Sequence, residues 1–399
     1  MASFKTIDDF EPAGRRVLVR GDLNVPMADG KVSDTTRLDR LAPTVNELAD
    51  KGAKVVVMSH FGRPKGAVKP EFSLKPVAPA LEAALGRTVI FAPDCIGDAA
   101  ASVIDGLADG AVALLENLRL HPGEEANDPA FAAALAKLGD LYVNDAFSAA
   151  HRAHASTEGI AHLLPAAAGR AMQAELEALS GALDAPKRPL AALIGGAKVS
   201  TKIAVLENLA AKVDTIVIGG AMANTFLHAR GVDVGASLME PDYVGTARDV
   251  EAAAEEAGCT LLLPEDGVVA AELNAGVATQ TVPIGKVPAG TMILDVGPAS
   301  VAALTRAMAD WRTLVWNGPL GAFEVPPFDA GTVAVARAAA ARTKSGDLLT
   351  VGGGGDTVAA LAHAGVADDF SYVSTAGGAF LEWLEGKALP GVEALRAEG

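Results

Sequence analysis

Short apolar runs rich in β-branched residues alternate with longer amphipathic stretches along the whole chain. In residues 35–51, Leu38, Leu41, Val45 and Leu48 recur at three- and four-residue spacing, which predicts an amphipathic helix. The short runs predict strands at residues 16–20, 54–59, 88–92, 112–115, 141–143, 189–194, 214–218, 260–263, 313–316, 347–351 and 371–373. Strands that alternate with helices indicate parallel βαβ units, and nearly continuous apolar strands fit sheets that are covered on both faces.

The strands fall into two series, which predicts two Rossmann-like α/β domains, each a parallel sheet with helices on both faces. The break between the series lies where a helical pattern ends at Pro186 and Pro189, two prolines that fit a hinge. We therefore predict a first domain over residues 1–169, an interdomain helix and hinge over 170–188, and a second domain over 189–385.

Composition narrows the partners that the chain can have. Its 399 residues carry 49 acidic against 33 basic side chains, a formal net charge of −16, so we expect neither nucleic acid nor a membrane surface as a partner. Cys95 and Cys259 are too few for a disulfide framework and predict two buried thiols. We also expect no export signal and no membrane helix, and hence a cytoplasmic protein.

Loops that follow predicted strands in the first half of the chain carry cations. Ligands bind at the carboxyl ends of parallel strands, so these cations predict a pocket for a small, multiply charged anion such as a phosphorylated acid. A plain Asx turn at residues 22–24 and a solvated basic loop at residues 59–65 remain open as alternatives. The polar and charged side chains of these loops and of the following helix start are Arg20, Asp22, Asn24, Arg37, His60, Arg63, Arg119 and Arg152.

His151 and His154 stand near Asp145 in a spacing that could be mistaken for a metal site. A zinc site needs three or four convergent ligands, and no second ligand pair is evident, so we exclude zinc at this motif.

Glycine-rich loops follow the strands of the second half. Residues 194–202 contain Lys198 and Lys202, four positions apart and expected on one side of a helical first turn. Residues 316–324 end in Glu324, and residues 352–357 end in Asp356 and Thr357, whose oxygens suit Mg²⁺. Each loop alone could be a simple tight turn and none matches a P-loop or dinucleotide fingerprint, but together they predict a nucleotide phosphate site.

An anion pocket in one domain and a nucleotide site with Mg²⁺ in the other predict a phosphotransferase that excludes water by domain closure. Two other functions stay open. A phosphotransferase with a small carboxylate acceptor, similar to acetate kinase, would not need so many cations in the first half. A two-domain anion-binding protein, similar to a transport receptor, would not need the glycine and lysine loops of the second half.

In this order, the loops resemble those of the phosphoglycerate kinase family over essentially the whole chain. The resembling segments are residues 20–26, 115–125, 144–157, 195–203, 316–324, 353–357 and 374–387. The resemblance implies a cytoplasmic, monomeric enzyme of glycolysis and carbon fixation. It implies reversible, Mg²⁺-dependent phosphoryl transfer from 1,3-bisphosphoglycerate to ADP, which gives ATP and 3-phosphoglycerate.

The resemblance also implies the roles of individual residues. The residues implied for 3-phosphoglycerate or 1,3-bisphosphoglycerate are Asp22, Asn24, Arg37, His60, Arg63, Arg119 and Arg152. Those implied for ADP or ATP, with Asp356 on Mg²⁺ and Glu324 on the ribose, are Lys198, Lys202, Gly219, Asn317, Glu324, Gly354, Gly355, Asp356 and Thr357. The resemblance further implies that residues 386–399 pack back on the first domain.

The attacking oxygen of this reaction is already anionic, so no general base is required. We expect Arg37 and Lys198 to neutralise the transferring phosphoryl group from opposite domains, assisted by the backbone amides of Gly355 and Gly378. The chain departs from the family pattern at Ala376, where a glycine is usual, and alanine there would be strained if its φ were positive.

Overall fold

The computed structural model describes residues 4–396 and divides into two compact units. Unit 1 comprises Met1–Glu177 and the C-terminal segment Ala388–Gly399, and unit 2 comprises Ala178–Lys387. The division falls within residues 170–188, the stretch predicted to connect the domains. The C-terminal segment joins unit 1 through Gly391, whose N–H donates to the carbonyl of Ala150 at 2.8 Å.

Unit 1 is built mainly from short strands and the helices that connect them. Its strands are β1 Arg16–Arg20, β2 Met27–Ala28, β3 Lys31–Val32, β4 Lys54–Met58, β5 Val89–Phe91, β6 Val112–Leu114, β7 Leu141–Asn144 and β8 Ala166–Ala168. Its helices are α1 Thr36–Asp50, α2 Ala78–Leu85, α3 Gly97–Asp105, α4 Pro122–Glu125 and α5 Pro129–Ala136. Helix α6, Arg170–Leu183, crosses the division between the units.

The main sheet of unit 1 has the strand order β5-β6-β4-β1-β7-β8, and every pairing in it is parallel. Val17 and Val19 of β1 pack in one apolar core with Leu38 and Val45 of α1. Leu18 points to the opposite face and is also fully buried. Burial on both faces explains why the strands of this sheet are nearly continuous apolar runs.

Unit 2 repeats the parallel arrangement and adds a second sheet. Its strands are β9 Leu190–Ile194, β10 Thr215–Ile218, β11 Thr260–Leu262, β12 Asp266–Ala270, β13 Gln280–Pro283, β14 Met292–Val296, β15 Thr313–Asn317, β16 Leu349–Gly353 and β17 Tyr372–Ser374. Its helices are α7 Ile203–Ala210, α8 Met222–Ala229, α9 Val244–Glu256, α10 Pro298–Met308, α11 Ala330–Lys344, α12 Gly355–His363 and α13 Gly377–Leu384. The last helix, α14 Pro390–Glu393, belongs to unit 1. The parallel sheet has the order β11-β10-β9-β15-β16-β17, and β13-β12-β14 form an antiparallel sheet.

The strands that the sequence predicts are all present, with ends within about two residues. The fold is therefore the predicted one, with a parallel α/β sheet in each unit. The antiparallel sheet β13-β12-β14 was not predicted; Gly267 lies within β12 and Pro283 ends β13, and both residue types disfavour strands. The two-stranded antiparallel sheet of β2 and β3 was also missed, since each strand has only two residues, and so was β8, whose three alanines have little strand propensity.

Each parallel sheet has a point where the strand order reverses direction along the sheet. In unit 1 this switch point lies between β1 and β7, and in unit 2 it lies between β9 and β15. Ligands of open parallel sheets bind in the crevice beyond the strand ends at such a point. Among the residues that the structure describes, no helix combines the length and the apolar character needed to cross a membrane.

Candidate active site

Asp22 accepts hydrogen bonds that connect the loops at the switch point of unit 1. Arg37, the second residue of α1, donates from Nη1 to both Asp22 oxygens, at 2.9 and 2.8 Å. Ser148, which follows β7, donates to Asp22 Oδ2 at 2.5 Å. The N–H of Asn24 donates to Asp22 Oδ1 at 3.1 Å, so the Asx turn considered as an alternative is also present. Asp22 therefore fixes the direction of the Arg37 guanidinium, whose side chain remains 36% exposed.

His60 is held as a neutral hydrogen-bond donor. Its side chain is buried, and its Nδ1 lies 3.0 Å from Nη2 of Arg20. Burial and the positive charge of Arg20 hold the pKa of His60 well below its usual value. A guanidinium has no acceptor, so Nδ1 accepts this hydrogen bond and the ring proton resides on Nε2. Asn24 Oδ1 accepts from the N–H of Gly62 at 2.8 Å and so steadies the loop that carries His60.

Two arginines of unit 1, Arg20 and Arg119, are buried. Arg119 is 3% exposed, donates to the carbonyl of Gly62 at 3.0 Å, and lies 3.3 Å from Glu125 Oε1. Burial lowers the pKa of Arg119. Arg20 is fully buried and donates from Nε to Ser156 Oγ at 2.9 Å. The sequence placed Arg20 in a candidate loop but gave it no role; an arginine at the end of an apolar strand was the available signal.

A buried carboxyl group balances these cations. Glu124 accepts from Ser156 Oγ at 2.6 Å and from the Ser156 N–H at 3.0 Å. Burial raises the pKa of Glu124, and the charge of Arg20 opposes that rise. His154 lies with Nδ1 3.8 Å from Glu124 Oε1, and burial lowers its pKa to about 4. His154 of the His-x-x-His motif therefore lies beside this network.

The two remaining predicted arginines lie nearer to solvent. Arg63 is exposed on the same loop as His60. Arg152 is partly exposed and donates from Nε to His151 Nε2 at 3.1 Å. Unit 1 therefore presents several cations of different burial around the ends of neighbouring strands.

Two glycines allow the loops at the switch point of unit 2 to touch. Gly195 follows β9 and Gly318 follows β15, and a Cβ built on either would overlap the backbone of the other loop. Gly318 also has a φ of +101°, which disfavours any other residue. Its carbonyl accepts from Trp316 Nε1 at 2.7 Å, and its N–H donates to Thr357 Oγ1 at 2.7 Å. The buried Thr357 hydroxyl therefore holds this loop.

The two lysines of the first glycine loop differ in their surroundings. Lys202 donates from Nζ to Asn317 Oδ1, and Asn317 Nδ2 donates to the carbonyl of Gly353 at 2.7 Å. Burial lowers the pKa of Lys202, and Asp356 opposes this change. Lys198 is exposed. The two lysines do not share the first turn of an α-helix, because a 3₁₀ turn, Val199–Thr201, separates them and α7 begins only at Ile203, but both line the same cavity.

A cavity of about 380 Å³ lies over these loops. The N-termini of α12 and α13 border it, and their free N–H groups favour anions. Gly378 is the second residue of α13, next to Gly377 at the cavity wall. Ala376 has a φ of −93°, so the alanine that departs from the family pattern is unstrained. The lining includes Gly195, Gly196, Lys198, Lys202, Asn317, Gly354, Gly355, Asp356, Thr357 and Gly377.

A second cavity of about 380 Å³ shares Gly196, Ala197 and Asp356 with the first. Strand β14 of the unpredicted sheet forms part of its wall, and Glu324 lies at its edge. Gly220 lines it, whereas Gly219 is buried with its Cα close to Leu320, where a Cβ would not fit. The wall is largely apolar, with Leu227, Leu238, Leu273, Ile284, Met292, Leu320 and Phe323. A polar cavity that continues into an apolar one suits phosphates joined to a nucleoside.

Asp356 fits a magnesium ion. Its side chain is exposed and lines both cavities. Mg²⁺ is held by one or two carboxylates together with substrate phosphates and water, so a single carboxylate beside a phosphate cavity is an adequate protein contribution.

Cations gathered at the strand ends of one α/β unit, and a polar cavity that continues into an apolar one in the other, together fit a nucleotide-dependent phosphotransferase. A family model described as "Phosphoglycerate kinase" matches residues 7–387, and the chain belongs to that family. It is similar to the phosphoglycerate kinase of Methylobacterium radiotolerans, with 65% identity over 100% of both chains. It is 64% identical to that of Sinorhizobium medicae over 99% of this chain and 100% of the relative.

Solved structures agree with these relatives. The phosphoglycerate kinase of Coxiella burnetii superposes with a TM-score of 0.92 and 42% identity, covering 98% of this chain and 99% of that one. The enzyme from Pyrococcus horikoshii gives a TM-score of 0.79 and 30% identity, with 98% of each chain covered. The chain is thus a kinase of glycolysis that transfers a phosphoryl group between 1,3-bisphosphoglycerate and ADP. Its substrates are small molecules, and enzymes of this family use ADP or ATP with Mg²⁺.

Proposed function

We propose that the two substrates divide between the units, with 3-phosphoglycerate or 1,3-bisphosphoglycerate in unit 1 and ADP or ATP in unit 2. The observation that carries this proposal is the contrast in lining. Unit 1 gathers Arg37, Arg119, Arg152 and His60 around strand ends, which suits a small, densely charged acid. Unit 2 offers glycine turns and a long apolar wall, which suits phosphates joined to a purine nucleoside.

In unit 1 the cations bind the substrate and their partners orient them. Arg37, Arg63, Arg119 and Arg152 bind the phosphate and carboxylate oxygens, and His60 donates from Nε2. Two further residues act through these groups. Asp22 aims Arg37 through two hydrogen bonds, and Asn24 holds the backbone at Gly62.

In unit 2 the backbone and the lysines take the phosphates. Lys198 and Lys202 neutralise them, and Asp356 would hold Mg²⁺, which would supply further neutralisation of the phosphate charge. Glu324 accepts from the ribose hydroxyls. Four further residues hold the loops against one another by close packing and hydrogen bonds. These are Gly219, Asn317, Gly354 and Thr357.

Transfer itself requires charge neutralisation and no general base, because the carboxylate of 3-phosphoglycerate and the terminal phosphate of ADP are already anionic. We assign the neutralisation to Arg37 and Lys198. The N–H groups of Gly355 and Gly378, in the first turns of α12 and α13, supplement the two cations.

Initial rates of ATP formation from ADP test the substrate assignment, with 1,3-bisphosphoglycerate and acetyl phosphate as alternative donors. We expect turnover with the first donor and a loss of at least a hundredfold with the second. Removal of Mg²⁺ with a chelator should abolish turnover, and added Mg²⁺ should restore it. Equal rates with acetyl phosphate would support the carboxylate-kinase alternative instead.

We also propose the cytoplasmic location, the monomeric state and the lack of nucleic-acid or membrane partners expected from the sequence. The net charge of −16 and the free, buried Cys95 and Cys259 support this proposal. Light scattering coupled to gel filtration measures the oligomeric state directly. A dimer mass at micromolar concentration would contradict the proposed monomer.

A further inference from the structure

Three potential metal ligands lie together in unit 1, apart from the residues assigned above to either substrate. Asp94 and Cys95 are in the loop between β5 and α3, and His121 directly precedes α4. A carboxylate oxygen, the Cys95 sulfur and a His121 ring nitrogen all lie within 4.8 Å of one another. Within residues 4–396, this is the one group of three such side chains that converges in this way.

We propose that Asp94, Cys95 and His121 form a binding site for a thiophilic transition-metal dication of the zinc class, with water as the fourth ligand. Thiolate, imidazole and carboxylate are the donors that Zn²⁺ takes in tetrahedral sites. Mg²⁺ and Ca²⁺ prefer oxygen alone, so this donor set distinguishes the site from the magnesium site at Asp356.

The three side chains are already close to a binding arrangement. Asp94 Oδ1 lies 2.7 Å from His121 Nε2 and accepts from the Cys95 N–H at 2.6 Å. The His121 ring packs against Phe131, with 5.3 Å between the ring centroids. Tetrahedral metal–ligand distances of about 2.0–2.3 Å place the ligand atoms about 3.3–3.7 Å apart, so Asp94 Oδ1 and His121 Nε2 need to separate by about 0.6 Å.

The partial exposure of Asp94 and His121 lets an ion reach the site from solvent. The side chains of His121 and Asp94 are 30% and 41% exposed, whereas Cys95 is fully buried. An ion therefore meets the carboxylate and the imidazole first and the sulfur at the bottom of the site.

The local charge also favours a dication, because the carboxyl group of Asp94 lies next to Cys95 and accepts its N–H. A bound dication forms the metal–sulfur bond as the S–H bond breaks, and the proton passes to solvent.

Cobalt(II) provides the direct test, because a cysteine sulfur bound to it produces a charge-transfer band that oxygen ligands do not. Nucleotide-free, chelator-treated full chain should bind one Co²⁺ and, in competition, one Zn²⁺, with release of about one proton. Cys95→Ser should abolish the band, and His121→Gln should weaken binding at least tenfold. Two matched control variants should leave the band and the metal affinity unchanged. Cys259→Ser removes the other buried thiol, and His162→Gln removes a histidine 2.6 Å from Glu158.

A second measurement on the unmodified chain covers the case in which Cys95→Ser does not fold. Zn²⁺ should slow the alkylation of Cys95, read by mass spectrometry, and leave the rate at Cys259 unchanged. The proposal is overturned if the folded chain shows no sulfur band with Co²⁺, if Cys95→Ser retains the band, or if Zn²⁺ leaves the alkylation of Cys95 unaffected.

Discussion

His60 illustrates how burial and one neighbouring cation set the protonation state of a side chain. Because Arg20 occupies Nδ1, the neutral ring presents an N–H at Nε2. His60→Ala removes this donor and leaves Arg20 without its acceptor. We expect the KM for 3-phosphoglycerate to rise about tenfold, the equivalent of about 1.4 kcal/mol, with the KM for ATP unchanged. His162→Ala, at an exposed histidine, should change neither, and a selective loss of nucleotide affinity in His60→Ala would contradict the placement.

Arg37 and Lys198 carry the proposed charge neutralisation. Replacement of either by alanine should lower kcat by two or more orders of magnitude, or about 2.7 kcal/mol, because the lost interaction is strongest in the transition state. The affinity for the substrate of the other unit should change little. Lys212→Ala, at an exposed lysine of unit 2, is the matched control. A near-normal kcat in Arg37→Ala or Lys198→Ala would remove that residue from the mechanism.

Asp295 makes stability depend on pH. It lies on β14 at the wall of the apolar cavity, 1% exposed, and accepts the N–H groups of Val296 and Gly331 at 2.9 and 2.7 Å. Burial raises its pKa from 3.8 to about 7. Between these values the folded chain keeps a proton that the unfolded chain has released. The free energy of unfolding therefore falls as pH rises through this window.

Asp295→Asn removes this titration. Across the window, we expect the free energy of unfolding of the parent to fall relative to that of the variant by about 1.4 kcal/mol per pH unit. Urea unfolding at pH values of about 5, 6, 7 and 8 measures the difference. Asp368→Asn, at an exposed carboxylate, should show no such trend. A pH-independent difference for Asp295→Asn would show that the carboxyl group ionises normally.

At the scale of the element, glycine spacing decides whether two loops can meet. Gly195→Ala places a methyl group against the backbone of the β15 loop, where no flexible side chain can yield. We expect a loss of about 1–3 kcal/mol in stability and a higher KM for ADP, since the phosphate cavity must distort. Thermal unfolding and initial rates measure the two effects. Gly181→Ala, inside α6 with open space around its Cα, should instead stabilise the chain slightly.

Elements with strong periodic signals could be predicted from the sequence, and those shaped by tertiary contacts could not. The apolar runs at Arg16–Arg20 and Lys54–Met58 identify buried parallel strands by themselves. The sheet that contains β14 gives a weaker signal, because Gly267 lies within β12 and Pro283 ends β13. The same reasoning explains the glycines. Sequence indicates that residues 194–202 turn, but only the fold reveals that Gly195 touches Gly318.

For individual site residues, what the sequence can predict depends on whether the important contact is local. Asp22, Arg37 and His60 follow strands or begin a helix, where ligands are expected, so their positions could be predicted. The role of Arg20 could not be predicted, because it depends on a hydrogen bond to Ser156, which is 136 residues away in the sequence. No local pattern encodes such a contact.

At the scale of the whole molecule, an acidic protein binds acidic substrates. The net charge of −16 gives no general attraction, so affinity depends on locally concentrated cations and helix N-termini in each unit. If each unit holds its own substrate, a substitution in one unit should affect one ligand only. Arg152→Ala and Asp356→Asn provide a reciprocal pair for this test.

Calorimetry with one ligand at a time measures the division of substrates. Arg152→Ala should raise the Kd of 3-phosphoglycerate at least tenfold, because a bidentate cation–anion contact contributes more than about 1 kcal/mol. The Kd of Mg²⁺–ADP should stay within about twofold. Asp356→Asn should weaken Mg²⁺–ADP and remove the effect of Mg²⁺ on ADP affinity, with 3-phosphoglycerate unchanged. If either variant lost both ligands while its circular dichroism stayed normal, the two binding sites could not be independent, and the division proposed for the units would be wrong.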